Sequence, residues 1–220
     1  MQIDIQVSTN WIKNSYKTFG RTNDKKYCGV TQTSNWLIPG KLLVGGYPDK
    51  EDDIENIENA GINTFVCLNE EYGRTNLHRP FPKYGDNLSP TSTFVHFPMR
   101  DMSQHDRDKE LLDFCVRLVN LLLNGNTLFI HCSGGHGRTG MVACIILHLL
   151  TGQDADVLFD YIQYCHDQRT YHNFGHKFFG QHLPDDVKKN FVMGQVPTPQ
   201  LDVQRYQVYR CIIEYMKQQC

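Results

Sequence analysis

The 220-residue chain carries a formal net charge of −2 and a pI near 6.5, which argues against a general binder of nucleic acid or anionic membranes. It has no run of about 18 apolar residues, and its N-terminal Met-Gln-Ile-Asp-Ile-Gln lacks a basic region leading into an apolar stretch, so neither a membrane span nor a signal peptide is expected. The eight cysteines are dispersed without a Cys-x-x-Cys pair and several sit in apolar patterns, which favours a reduced, cytoplasmic chain over a disulfide framework.

Residues 1–30 are polar and irregular, with aromatics at Trp11, Tyr16, Phe19 and Tyr27, and read as an arm packed on a domain spanning 31–220. Trp36 to Pro48 reads as a turn at Pro39-Gly40, a short strand and a Gly-Gly-Tyr-Pro exit. Asp49 to Ala60 sets Ile54 and Ile57 at helical spacing behind acidic residues suited to a helix N-terminus, and Gly61 stops it. Ile62–Leu68 is a strand run, followed at 69–92 by a stretch without periodicity that holds Arg74, His78, Arg79 and Lys83. Thr93–Phe97 is the next strand and leads into Pro98-Met99-Arg100-Asp101. Lys109–Asn124 is an amphipathic helix with Leu111, Leu112, Cys115, Leu118, Val119 and Leu122 on its inner stripe, ended by Gly125 and preceded by Asp106 and Asp108, which suit capping.

Residues 127–142 carry the chemistry. The apolar run Leu128-Phe129-Ile130 is short enough for a buried strand, Cys132 to Arg138 is a glycine-dense loop, and an apolar helical pattern follows to Leu150 and stops at Gly152. Strand, tight loop and helix N-terminus make an anion site, because loop N–H groups converge and the helix dipole adds positive potential. Cys132 at the base of that cradle is placed to be a thiolate, the nucleophilic form of cysteine. Arg138 can hold two oxygens of a phosphate through its planar fork, and Thr139 can donate a hydrogen bond to the sulfur. A sulfur nucleophile and a planar cation on one oxyanion cradle suit attack on phosphorus.

Beyond this loop, Asp154 caps a helix running to about Gln168, with Val157, Leu158, Tyr161, Ile162 and Cys165 inward. The stretch 171–184 is rich in aromatics and histidines, but His172, His176 and His182 are loosely spaced and have no cysteine or acid cluster beside them, so no metal or other cofactor is expected. The last helix follows Pro199 and sets Tyr206, Tyr209, Ile212, Ile213 and Met216 toward the core.

His131-Cys132-Ser133-Gly134-Gly135-His136-Gly137-Arg138-Thr139-Gly140 resembles the His-Cys-x-x-Gly-x-Gly-Arg-Ser/Thr-Gly signature of cysteine-dependent protein tyrosine and dual-specificity phosphatases, with Gly134 where the family often has Ala. The resemblance implies an α/β fold: a three-layer single domain with a central, mostly parallel sheet of about four or five strands and helices on both faces. It also implies a phosphomonoester hydrolase of phosphoproteins working through a cysteinyl-phosphate, most like the compact dual-specificity type, with monomer favoured. Cys132 would be the nucleophile, and Arg138 with Ser133, Gly134, Gly135, His136, Gly137 and Thr139 would bind the phosphate. Asp101 matches the family's general acid, although Arg100 stands where related enzymes often carry Pro; Asp106 and Asp108 are the alternative acids. Gln204 matches a site glutamine of a Pro-x-Thr-x-x-Gln segment in which Leu201 here replaces Thr. The stretch 69–92 becomes either a solvated loop or a rim that helps recruit a phosphorylated substrate, 171–184 either plain packing or a rim that selects a substrate or partner, and Cys67 either a core residue or a thiol that traps oxidised Cys132 as a disulfide. Two alternatives remain open: a phosphoinositide or RNA 5′-phosphatase on the same chemistry, for which the loop offers only His136 as an extra base, and a phosphate-binding module without turnover.

Overall fold

Five strands form one sheet: Ser34–Ile38 (β1), Leu42–Gly45 (β2), Thr64–Asn69 (β3), Thr93–Met99 (β4) and Leu128–His131 (β5), in the order β1-β2-β5-β3-β4. The computed structural model describes residues 24–50, 52–77, 80–170 and 197–219. β5 lies at the centre, hydrogen-bonded in parallel to β2 and β3, and its four residues are all buried. A strand covered on both faces tolerates a continuous apolar run, which is why Leu-Phe-Ile reads as it does.

The stretch expected to hold one short strand is a hairpin. Pro39 and Gly40 join β1 to β2 in antiparallel register, with Gly40 in the left-handed region at φ +69°, so an antiparallel edge strand completes an otherwise parallel sheet.

Five α-helices accompany the sheet among the described residues: Asp53–Asn59 (α1), Asp108–Leu123 (α2), Gly137–Thr151 (α3), Ala155–His166 (α4) and Asp202–Gln219 (α5). α1 links β2 to β3, and α2 links β4 to β5 in the opposite direction across the sheet. Right-handed crossovers of opposite direction put α1 and α2 on opposite faces, which makes the three layers. α3 packs against α2, α4 and α5, and its first twelve residues are buried, as the apolar run Met141–Leu147 requires.

The connection from β3 to β4 holds no α-helix. It covers the sheet with aromatics instead: Phe81 and Tyr84 are buried, and Tyr84 packs on Tyr47, Phe65, Tyr72 and Phe94. Phe81 and Tyr84 are therefore core, while Arg74 and Lys83 are exposed and His78 and Arg79 lie outside the described residues.

The last helix buries Ile212 as expected and packs Tyr209 partly against the core, but the rest of the expected face is turned outward. Tyr206, Ile213 and Met216 are 63%, 52% and 57% exposed, whereas Gln204, Gln207, Val208, Cys211 and Ile212 are buried. Two glutamines take core positions because both have hydrogen-bond partners across the molecule. Of the expected arm, residues 1–23 lie outside the described residues; Tyr27, just beyond them, stacks edge-on against Tyr161 and Tyr164 of α4.

Candidate active site

The loop from Cys132 to Arg138 leaves the C-terminal end of β5 and becomes the first turn of α3, on the axis of the sheet where open α/β folds place ligands. Three successive carbonyls of this loop are tied down on its outer side. The Tyr47 N–H donates to Ser133 O at 3.1 Å, and Arg169 donates to Gly134 O (3.2 Å) and Gly135 O (3.1 Å). Across a planar trans peptide the C=O and the next N–H point in opposite directions. Holding these carbonyls outward therefore turns the N–H groups of Gly134, Gly135 and His136 toward the inside of the loop, where an anion would sit.

Gly135 makes the turn sterically feasible. Its φ is +76°, and a Cβ there would stand 2.3 Å from the Gly45 carbonyl carbon at the end of β2. Gly137 meets a similar demand, since a Cβ would lie 2.6 Å from Gln204 Nε2.

Arg138 is 1% exposed and reaches across the loop to two other segments. Its Nη1 donates to Met99 O (3.0 Å) and Glu71 Oε2 (3.3 Å), and its Nη2 lies 2.8 Å from Asp101 Oδ1. The Asp101 contact is ionic and off the N–H direction, because Nη2 and Nε make no aligned hydrogen bond among the described residues. Burial opposes the guanidinium charge, but Cys132, Asp101 and Glu71 outweigh it and hold the pKa above its ordinary value. Cys132 is 3% exposed at the base of this arrangement. Thr139 is buried one residue on, its hydroxyl without a hydrogen-bond partner among the described residues.

His131 precedes Cys132 and is wholly buried. Burial pushes its pKa down to about 3, so the ring is neutral. Nδ1 faces Cys132 O at 3.4 Å and so carries the proton, which leaves Nε2 to accept from Tyr84 O–H at 2.6 Å. His136, inside the loop, shares a 2.8 Å hydrogen bond with His166 Nε2, and His166 Nδ1 lies 3.3 Å from Asp167 Oδ1. The end of α4 thus braces the loop twice, through His166 and through Arg169, whose Nε also donates to Asn35 Oδ1 at 2.7 Å.

The residues singled out in the sequence converge: Cys132, Ser133 to Thr139, Asp101 and Gln204 surround one cradle. Gln204 abuts Gly137 and donates to Ser103 O at 3.1 Å, so it joins the cradle to the loop that carries Asp101. Asp108 is held by Gln207 and Arg210 and is no free acid. Glu71, Arg169, Tyr84 and Gln207 carry no local signal in the sequence; each acts through a partner distant in the chain. Cys67 pairs in register with His131, one strand from Cys132; both are free thiols, and burial pushes the Cys67 thiol up to about 12. Among the described residues no group of His, Cys, Asp or Glu is placed to hold a metal ion, and no single helix is long and apolar enough to cross a membrane. The stretch 171–184 lies outside the described residues.

The chain is 27% identical over 172 residues to the candidate tyrosine phosphatase 067L of Invertebrate iridescent virus 3, covering 68% of this chain and 67% of that protein. It is 30% identical over 155 residues to the candidate tyrosine phosphatase 197R of Invertebrate iridescent virus 6, of whose length it spans 55%. Its fold is similar to that of PTPMT1 in complex with PI(5)P, with a TM-score of 0.57 over 85% of this chain and 99% of the other at 11% identity. Residues 31–173, which hold the sheet, the cradle and Asp101, match the model of the PTP-SAK family, the DSP-PTPase phosphatase domain of Swiss Army Knife proteins. The chain belongs to this family of phosphatases.

Proposed function

We propose that the chain hydrolyses phosphomonoesters of phosphoproteins, on tyrosine and on serine or threonine, through a cysteinyl-phosphate. The observation that carries this reading is the meeting of three groups from two segments: Cys132 and Arg138 at the two ends of the loop after β5, and Asp101 from the loop after β4, 2.8 Å from Arg138 Nη2.

Cys132 Sγ attacks phosphorus as a thiolate while the bond to the leaving oxygen breaks, and Asp101 gives its proton to that oxygen. Arg138 Nε and Nη2, with the inward N–H groups of the loop, take the phosphoryl oxygens as charge develops on them. Glu71 and Met99 O keep the guanidinium plane in place from Nη1. A water then gives a proton to the Asp101 carboxylate and attacks phosphorus, and the S–P bond breaks to release inorganic phosphate and the thiolate.

The test is hydrolysis of a small aryl phosphate with chelator present. Cys132→Ser should show no turnover above background, and Asp101→Asn should lose about 100-fold or more in kcat. No wild-type turnover with vanadate still bound would instead support a binding module. A second reading, a phosphoinositide substrate, is favoured by the likeness to the PI(5)P-bound fold and by the imidazole of His136 inside the loop. Comparing phosphopeptides with short-chain phosphoinositides at equal concentration separates the two by kcat/KM.

A further inference from the structure

We infer that Gln207 on α5 is a positioning residue for the general acid, gripping the loop of Asp101 from behind. The inference rests on Asp101 being the acid.

The loop runs from the end of β4 at Met99 to the start of α2 at Asp108. Its near end is pinned where Arg138 donates to Met99 O. Its far half is bound to α5. Gln207 Oε1 accepts from His105 N–H at 2.7 Å, and its Nε2 donates to His105 O at 2.7 Å and to Asp108 Oδ1 at 2.8 Å. One turn earlier, Gln204 donates to Ser103 O. One turn later, Arg210 donates to Gln104 Oε1 at 2.9 Å and pairs with Asp108 at 2.6 Å. On the loop's other side the His105 ring stacks on Phe97, and Phe97 stacks on Phe114 at 4.0 Å.

Gln207 is wholly buried, and a buried amide is costly unless its donors and acceptors are used. All three of its hydrogen bonds go to this loop and its exit. An apolar residue would close α5 on α2 and α3 as well; only an amide can read both backbone groups of His105. Between these grips lies Arg100–Met102, where, among the described residues, Asp101 meets only Arg138 through its side chain and Met102 is in the left-handed region at φ +51°. Four residues span at most about 14 Å, so fixing His105 through Gln207, with Ser103 held by Gln204 in between, confines the Asp101 backbone to an arc in front of the cradle. A carboxyl must lie within hydrogen-bond reach of the leaving oxygen to protonate it, and the grip supplies that placement.

The experiment compares kcat/KM for two aryl phosphates, one with a good leaving group (nitrophenyl) and one with a poor one (phenyl), in wild type, Asp101→Asn and Gln207→Leu. A displaced acid matters only where the leaving oxygen needs a proton. Gln207→Leu should therefore stay within about twofold of wild type on the nitrophenyl ester and fall about 10- to 100-fold on the phenyl ester. The Asp101→Asn variant should lose more on the phenyl than on the nitrophenyl ester; if it does not, the acid assignment itself fails. If Asp101→Asn discriminates while Gln207→Leu matches wild type, or loses equally on both esters, the positioning role is overturned. Should Gln207→Leu fail to fold, Arg210→Gln decides, since Arg210 is 43% exposed and holds the same loop. A selective loss of several-fold on the phenyl ester supports the grip, and an unchanged ratio of the two esters overturns it.

Discussion

Arg169 shapes the cradle from outside the loop that forms it. It is buried, and burial pushes its pKa down to about 9, so it still carries its charge at neutral pH. It uses that charge on two loop carbonyls and on Asn35, three partners fixed by the rigid geometry of a guanidinium fork. Arg169→Met would leave the Gly134 and Gly135 carbonyls without their donor, at about 1–3 kcal/mol for each buried group. Freed, those peptides can rotate, and their N–H groups no longer converge. We expect kcat/KM to fall about 100-fold, a weaker affinity for vanadate, and a lower melting temperature; Arg169→Lys, which keeps the charge and loses the fork, should recover only part of each. A Met variant that melts early yet binds vanadate like wild type would show that Arg169 serves the fold alone. Steady-state kinetics, vanadate inhibition and thermal melting read the three effects separately.

The loop between β5 and α3 is an element whose shape depends on what stands beside it, and two glycines with the same backbone handedness show this. Gly40, in the β1–β2 turn, has φ +69° with no atom within 4 Å of an added Cβ, whereas Gly135, at φ +76°, would drive its Cβ into the Gly45 backbone at 2.3 Å. Gly40→Ala should cost only the left-handed backbone penalty, about 1 kcal/mol, and keep full activity. Gly135→Ala bears the same penalty and must also move β2 or the loop, so turnover should be nearly abolished and the melting temperature should fall further. Melting curves and aryl phosphate kinetics on both variants check the contrast; equal behaviour would mean that the contact with β2 does not hold the loop. α5 teaches a related lesson. Its apolar residues suggest one buried face, yet Gln204 and Gln207 go inside because the loop after β4 offers them partners 101 and 102 residues away in sequence. Helical periodicity reports apolar preference, and a buried amide with distant partners is invisible to it.

At the scale of the whole molecule, what could be read from the chain is what is local: the strand-loop-helix of the signature, the α2 stripe, the glycine stops, and the Asp that follows β4. What escaped is cooperation between segments, such as Glu71 reaching Arg138 over 67 positions or Arg169 reaching Asn35 over 134. β1 escaped because a strand made of Ser, Asn, Trp, Leu and Ile has no alternation, and its five residues are all buried. His131 joins these segments, for its ring lies against Tyr47, Tyr84 and Phe129 and is held by the Tyr84 hydroxyl. Its folded pKa of about 3 lies far below the roughly 6.5 of an unfolded histidine. Between those values the unfolded chain binds more protons, so stability falls as pH drops through about 6.5 and goes on falling toward 3. One unit of pH in that window is worth about 1.4 kcal/mol, so moving from about pH 6.5 to 5 should remove roughly 2 kcal/mol through this residue. Asp108 does not mimic the effect: the hydrogen bond from Arg210 lowers its pKa, so its contribution is present above the ordinary carboxylate value and is lost only below it. His131→Gln starts from a less stable protein, having lost packing and the Tyr84 hydrogen bond, but it has no imidazole to charge. Urea unfolding of both proteins at the two pH values should therefore give a steeper acid loss in wild type by about 2 kcal/mol. Equal losses would mean that His131 meets the proton without unfolding, and that the aromatic shell around it opens to water on its own.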